Sequence, residues 1–168
     1  MQSHKTNNMR STFLAFAIFR KMCVEAEQTY GTKKPSAATL KRMHVLVEKC
    51  VQNIIQHIEP TKQTINNRDV LYMFRIVCKC VNFNDCAITT QTPTKFGHTM
   101  VHHSFPNRRI AKNVTDGVTK IYKWCICLMH ASLKEHVDAK ITKIRPPELL
   151  QACNRHYYLK RLVAGETQ

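Results

Sequence analysis

The sequence predicts an all-α chain in which one helical unit occurs twice and each copy covers the other. Three observations predict it. From Ser36 to about Ile58, apolar side chains recur at Leu40, Met43, Leu46, Val47, Cys50, Val51, Ile54, Ile55 and Ile58, at the spacings of three and four that make one helical stripe. A second long stretch, about Asp116 to Ala139, repeats the pattern with Val118, Ile121, Tyr122, Cys125, Leu128, Met129, Leu133 and Val137. Each stretch is followed by the same layout: Thr64-Ile65-Asn66-Asn67-Arg68-Asp69-Val70-Leu71 returns 79 positions later as Lys143-Ile144-Arg145-Pro146-Pro147-Glu148-Leu149-Leu150. In both copies a short extended pair leads into a helix with an acid in its first turn, where the helix dipole favours an anion. Asn66 or Asn67 can cap the first copy, and proline pre-organises the first turn of the second.

The first ten residues are polar and are expected to form a disordered tail, too short to be rich in modifications. Residues 11–26 read as a helix carrying Phe13, Leu14, Phe16, Ala17, Ile18, Phe19, Met22 and Cys23, so apolar that it must be covered on more than one side. Thr29 to Ser36, with Gly31 and Pro35, form a loop that holds Lys33 and Lys34, and Ser36 can cap the long helix that follows. About 22 residues at 1.5 Å each give roughly 33 Å. A stripe of that length needs an equally long partner, which the second long stretch supplies. Pro60 ends the first long helix, and Arg68 to about Val77 forms a short one. Lys79 to Ser104 is rich in Thr, Asn and His without a convincing period, and is expected to be an irregular connector. Pro106 to Asn113 leaves room for two helical turns at most.

A chain of 168 residues makes one or two small domains and can bury a real core. Lys and Arg number 26 against 11 acidic residues, a net charge of +15. The excess is shared: residues 1–90 carry 13 basic and 6 acidic side chains, residues 91–168 carry 13 and 5. Charge built into both halves points to a polyanion touched along the whole body, nucleic acid above all, rather than to a basic tail. There is no signal peptide and no apolar run long enough to span a bilayer, so no membrane role is expected. Eight cysteines without a secretory signal suit reduced thiols in a nuclear or cytosolic setting. Cys78-x-Cys80 and Cys86, with His98, His102 and His103, fit no standard zinc spacing, so neither metal nor cofactor is expected. Cys86 and His98 lack a third orienting group and an oxyanion motif, so no enzyme and no small-molecule substrate are expected. Cys125 and Cys127 point to different faces of a helix, and Trp124 suits a core or an interface. A zinc-dependent protein-interaction module is the reading of a different class that these residues leave open.

Thr64 to Val70 resembles the loop and last helix of histone 2B. Thr142 to Leu149, running on to Leu159-Lys160-Arg161-Leu162, resembles the matching part of histone 2A. Phe105-Pro106 followed by Arg109-Ile110 resembles the start of the histone 2A fold, and Val114-Thr115-Asp116-Gly117 its first loop. A 2B-like half followed by a 2A-like half resembles the histone doublets of giant viruses, over roughly residues 10–77 and 104–165. The resemblance implies two histone folds in one chain forming an intramolecular handshake pseudodimer: a tail (1–10), a 2B-like fold (11–78), a connector (79–104) and a 2A-like fold (105–168). Both long helices are expected to be about a turn or more shorter than in the cellular family.

That resemblance implies binding of double-stranded DNA without sequence specificity. It implies compaction in nucleosome-like particles with a histone 4–3 type doublet or tetramer, in the host nucleus or viral factory and in the virion. In a handshake the first loop of each half lies beside the second loop of the other. Lys33, Lys34 and Ser36 would then meet Lys143 and Arg145, while Thr115, Lys120 and Thr119 would meet Lys62 and Thr64. Arg10 would come near Arg108, Arg109 and Lys112 at the starts of the two first helices. One departure bears on partners: where histone 2A carries an acidic docking run, this sequence has Arg155-His156-Tyr157-Tyr158. The extended C-terminal tail of the family is also missing after Gln168, so looser particles are expected. A DNA-binding histone-fold module working outside nucleosomes, like paired subunits of some transcription factors, is the alternative.

Overall fold

A helix with one long apolar stripe must find a cover, and in this chain the two longest helices cover each other. The structure, a computed structural model, describes residues 12–59, 61–78 and 87–164. Among these run α1 (Phe16–Tyr30), β1 (Lys34–Pro35), α2 (Ala37–Ile55), β2 (Thr64–Ile65), α3 (Asn67–Val77), α4 (Phe96–Ser104), β3 (Arg109–Ile110), α5 (Val114–His136), β4 (Lys143–Ile144), α6 (Pro146–Arg155) and α7 (Leu159–Leu162). Apart from four two-residue strands, the regular structure is all helical.

The strands pair across the repeat. β1 lies parallel to β4, with Lys34 opposite Lys143 and Pro35 opposite Ile144. β2 lies parallel to β3, with Thr64 opposite Arg109 and Ile65 opposite Ile110. Because β1 precedes α2 and β4 follows α5, the start of α2 is tied to the end of α5; the other bridge ties the opposite ends. The two long helices therefore run in opposite directions. Side chains alternate along a strand, so each two-residue bridge turns one residue to solvent and buries Pro35, Ile65, Ile110 or Ile144. Helix α5 packs against α1, α2, α3, α4 and α6 and is the axis of the molecule. Met43, Leu46, Val47, Cys50, Val51, Ile54 and Ile55 of α2 are all fully buried, as are Val118, Ile121, Tyr122, Cys125, Ile126 and Met129 of α5. Trp124 packs edge-on against Phe74 at 4.7 Å.

Where boundaries differ from the sequence reading, local contacts explain the difference. Helix α1 begins at Phe16, not near residue 11, because Phe13 and Leu14 are held by α2. It runs on to Tyr30, since nothing stops it before Gly31, which adopts φ 65° and donates its N–H to Glu27 O. Helix α2 closes at Ile55, and the stripe continues to Ile58 through a tightened turn in which His57 N reaches Ile54 O. In α3, Asn66 is the cap: it accepts from Asp69 N, and Asp69 accepts from Asn66 N, both at 3.0 Å. Asn67 instead crosses to the other half and accepts from Gly117 N at 2.6 Å.

The largest correction concerns the start of the second half. Phe96–Ser104, inside the expected connector, is a helix, whereas Pro106 to Asn113 is not one and carries β3. Val114 to Gly117, expected as a loop, is the first turn of α5, which starts at Val114 and ends at His136. Phe96, Met100 and Val101 bury one face of α4. Gly97 lets the helix sit directly on α5: a Cβ there would fall 2.5 Å from Thr115 Cα and 2.9 Å from Val118 Cβ. The segment before α4 is pinned too, because Glu25 on α1 accepts the N–H groups of Thr89 and Thr90 at 2.8 and 3.1 Å and their hydroxyls as well. Burial pulls the Glu25 carboxyl upward, but these four bonds outweigh it and bring it down to about 2. Residues 1–10, and the part of the connector that holds Cys80 and Cys86, lie outside the described residues.

One carboxylate sits deep in the first half. Glu48, 3% exposed, accepts Phe13 N at 2.9 and 2.7 Å through its two oxygens and Leu14 N at 2.9 Å. His44, one turn earlier, donates from Nε2 to Leu14 O at 2.7 Å. Burial pushes the Glu48 carboxyl up to about 7, against the pull of the Leu14 and Phe13 N–H groups. Burial draws His44 the other way, below its ordinary value. A raised acid contributes stability that is complete below its unfolded pKa and is lost as pH rises through the folded one. The histidine contributes stability above its ordinary value that is lost as pH falls. The melting temperature of the wild type, relative to Glu48→Gln, should therefore stand higher at about pH 5 than at about pH 8. A gap that widens with rising pH would show instead that the two N–H groups favour the charged carboxylate.

Candidate nucleic-acid interface

Each pair of strands brings together two loops that are far apart in sequence, and both pairs are rich in cations. At the β1–β4 end, Lys33, Lys34, Lys143 and Arg145 are all exposed, and Lys34 lies opposite Lys143 in the bridge. Like charges placed opposite each other repel, so this register carries a cost that an anion would relieve. Lys33, Lys34 and Lys143 form no ion pair among the described residues. Arg145 does: its guanidinium meets Glu148 Oε2 at 3.2 Å, and its N–H also bonds Glu148. Arg145 is thus partly neutralised. Ser36 is structural here, its hydroxyl accepting Thr39 N at 3.1 Å while its own N–H bonds Ile144 O at 2.9 Å. Thr39 Oγ1 donates to the same Ile144 O at 2.7 Å, which locks the loop pair. The sequence reading missed Lys134, which donates to Gly31 O at 3.2 Å and lines a hollow with Lys33. Its place in the last turn of α5, just before β4, is the signal that could have found it.

At the β2–β3 end, Thr64 lies opposite Arg109, and the exposed cations are Lys62, Arg68, Arg109, Lys112 and Lys120. Lys62 is paired with Asp69 at 3.2 Å. Arg109 N bonds Gln63 O at 3.1 Å and Ala111 N bonds Ile65 O at 2.9 Å, so the backbone fixes both loops. Arg108 is half-buried, with its guanidinium 5.9 Å from the Phe105 ring.

The expected grouping changes in three respects. Arg108, Arg109 and Lys112 lie in the loop between α4 and α5, beside Lys62 and Thr64, and not at the start of a helix. The start they were expected to mark belongs to Phe96, behind the exposed Lys95. Arg10, their expected neighbour, lies outside the described residues. Thr115 and Lys120 are in α5 rather than a loop. Thr115 is occupied by the fold: its hydroxyl donates to Thr94 O at 2.9 Å and accepts His98 N at 3.2 Å. Thr119 likewise bonds Thr92, at 2.8 Å.

No group of three or more His, Cys, Asp or Glu side chains among the described residues could hold a metal ion. Cys23, Cys50, Cys78, Cys125, Cys127 and Cys153 are buried, and burial pushes the Cys78 and Cys153 thiols up to about 12. No described helix is long and apolar enough to cross a membrane. No protein-family model and no curated protein matches the chain.

Neutralising one lysine of the opposed pair should act oppositely on fold and ligand. Lys143→Gln should leave the DNA-free protein as stable or slightly more so, within about 0.5 kcal/mol. It should also weaken DNA binding and lower the salt slope by about one phosphate contact. Thermal melts and fluorescence anisotropy against a random duplex measure both, with the exposed Lys41→Gln on α2 as control. Equal weakening by Lys41→Gln would reduce the interface to net charge alone.

Proposed function

We propose that this chain is a histone-doublet-like protein, a 2B-like half followed by a 2A-like half in a handshake, that binds double-stranded DNA without reading its sequence. The observation that carries the proposal is the pairing of basic loops at both ends of the α2–α5 pair. Spacing supports it. At 1.5 Å per residue, the 19 residues of α2 and 23 of α5 span about 29 and 35 Å. The helical repeat of DNA is about 34–36 Å, so two cationic patches a helix apart can meet the backbone on one side of a duplex. Loop N–H groups and lysines take phosphate oxygens, and arginine can enter a narrowed minor groove. Neither patch presents a helix or ribbon shaped for the major groove, so no base-specific contact is assigned, and no catalytic role.

On this proposal the α1–α3 half and the α4–α7 half play the parts of histones 2B and 2A. The chain compacts DNA with a histone 4–3 type doublet or tetramer, in the host nucleus or viral factory and in the virion. Arg155 to Tyr158 stand where the family's acidic docking run would be, so arginine-anchored chromatin factors would find no carboxylates there. A DNA-binding histone-fold module outside nucleosomes, like paired subunits of some transcription factors, is the competing reading, and nuclease digestion separates the two. With a histone 4–3 type partner on long DNA, micrococcal nuclease should leave a protected fragment of fixed length; a smear would favour the competing module. In either case the apparent affinity should fall log-linearly with salt, about 0.9 log unit per phosphate neutralised. A thousandfold preference for one short sequence would contradict both.

A further inference from the structure

Where α2 ends, the protein carries an open groove lined by none of the cations of the two basic loop pairs. Four large apolar side chains are well exposed among the described residues: Val24, Tyr72, Ile76 and Tyr157. Two of them, Ile76 and Tyr157, line an open groove of about 880 Å³ formed by the end of α2, by α3 and by the α6–α7 region. Tyr72 stands one turn before Ile76 on α3. Met73, Val77 and Leu162 line the floor. Concentrated apolar exposure of this kind marks an interaction surface more often than chance does.

The charge around the groove says what fits. Arg161 lies against Tyr157, its guanidinium 4.8 Å from the ring centroid and 5.9 Å from that of Tyr158. His57 also lines the groove, and among the described residues no Asp or Glu does. Arg75, Arg155 and Lys160 are exposed on the adjoining turns of α3, α6 and α7. None of Arg75, Arg155, Lys160 and Arg161 has a carboxylate partner among the described residues. A basic segment would be repelled, and a nucleic acid would leave the aliphatic floor unsatisfied.

We propose that this groove docks an acidic polypeptide segment, seating one or two large apolar side chains between Ile76 and Tyr157 while its carboxylates meet Arg161 and the surrounding cations. The tyrosine rings supply large apolar area with few rotatable bonds, and the arginine adds direction, the combination that dominates binding energy at protein interfaces. The groove reverses the polarity of an arginine-anchor site: here the receptor holds the cations. The proposal does not depend on DNA binding, because Lys33, Lys34, Lys143 and Arg109 take no part in it.

The test uses the full chain and a fluorescein-labelled synthetic peptide of glutamates with a Leu and a Phe four positions apart. A control peptide has both replaced by Ser, at equal charge. Anisotropy is read at moderate salt, where exposed charges further apart than about 8 Å are largely screened. The Leu/Phe peptide should bind at least about tenfold more tightly than the control, which is roughly 1.4 kcal/mol. Ile76→Asp and Arg161→Glu should each remove most of that advantage. Tyr157→Ser, at a position more exposed than Ile76, should do the same and guards against a folding defect, and melts of all variants are compared. Lys34→Gln should change peptide binding less than about twofold, and a short duplex should not displace the peptide, as expected for separate sites. Equal binding of the two peptides, indifference to Ile76→Asp, or displacement by the duplex would each overturn the proposal. Intact DNA binding in Ile76→Asp would show that such a failure belongs to the groove alone.

Discussion

The rest of the structure depends on the mutual burial of two apolar stripes. Seven apolar residues of α2 are fully buried, and burying such a side chain contributes about 1.5–3 kcal/mol. Exposing them would cost on the order of 10–20 kcal/mol, as much as the whole net stability of a domain, about 5–15 kcal/mol. Even if α1 and α3 covered half of that surface, neither half of the chain has an alternative to the other. The strand bridges then follow: with α2 and α5 packed in opposite directions, the loops before one and after the other must meet. Two residues per strand suffice, because the helices supply the stability and the strands only set the register.

The same constraint concentrates charge. Loops forced together at the helix ends bring lysine against lysine, while several of the acids that could have neutralised them serve the backbone. Glu48 holds Phe13 and Leu14, Glu25 holds Thr89 and Thr90, and Asp69 and Glu148 each accept the N–H of a helix cap. A carboxylate that fixes a turn has little reach left for a neighbouring cation. Asp69 and Glu148 do reach Lys62 and Arg145 and Glu27 feels the charge of Lys34, whereas Lys33, Arg68, Arg109, Lys112, Lys120 and Lys143 form no ion pair among the described residues. On the proposed function, a polyanion would complete this surface.

Elements that carry their own reason in sequence were legible. The stripes of α2 and α5 show their period, Ser36 and the Asn66–Asp69 pair show their caps, and the prolines of α6 show its start. The meeting of Lys34 with Lys143, over a hundred residues away, was legible only through the repeat. Helix α4 was not, although Phe96, Met100 and Val101 have helical spacing. Nine residues with four histidine or threonine neighbours give little local preference. The helix exists because Gly97 permits close contact with α5, which is a tertiary fact. Misplacing α4 moved Arg108, Arg109 and Lys112 from a loop to a helix start, and Thr115 from its bonds with Thr94 and His98 to an open loop. The Glu25 and Glu48 attachments were hidden for the same reason, since a carboxylate that binds distant backbone leaves no pattern in sequence. The groove by Tyr157 was half visible: the residues stood out, but their neighbour Ile76 comes from the other half.

The central claim is that each half exists only as the cover of the other. Residues 1–90 and 91–168, produced separately and then mixed, test it most directly by circular dichroism melts and by the dispersion of amide resonances. Each half alone should lack a cooperative melt and a dispersed spectrum, and mixing should restore both, with a melting temperature that rises with concentration. A cooperatively melting, well-dispersed monomer of residues 1–90 would contradict it.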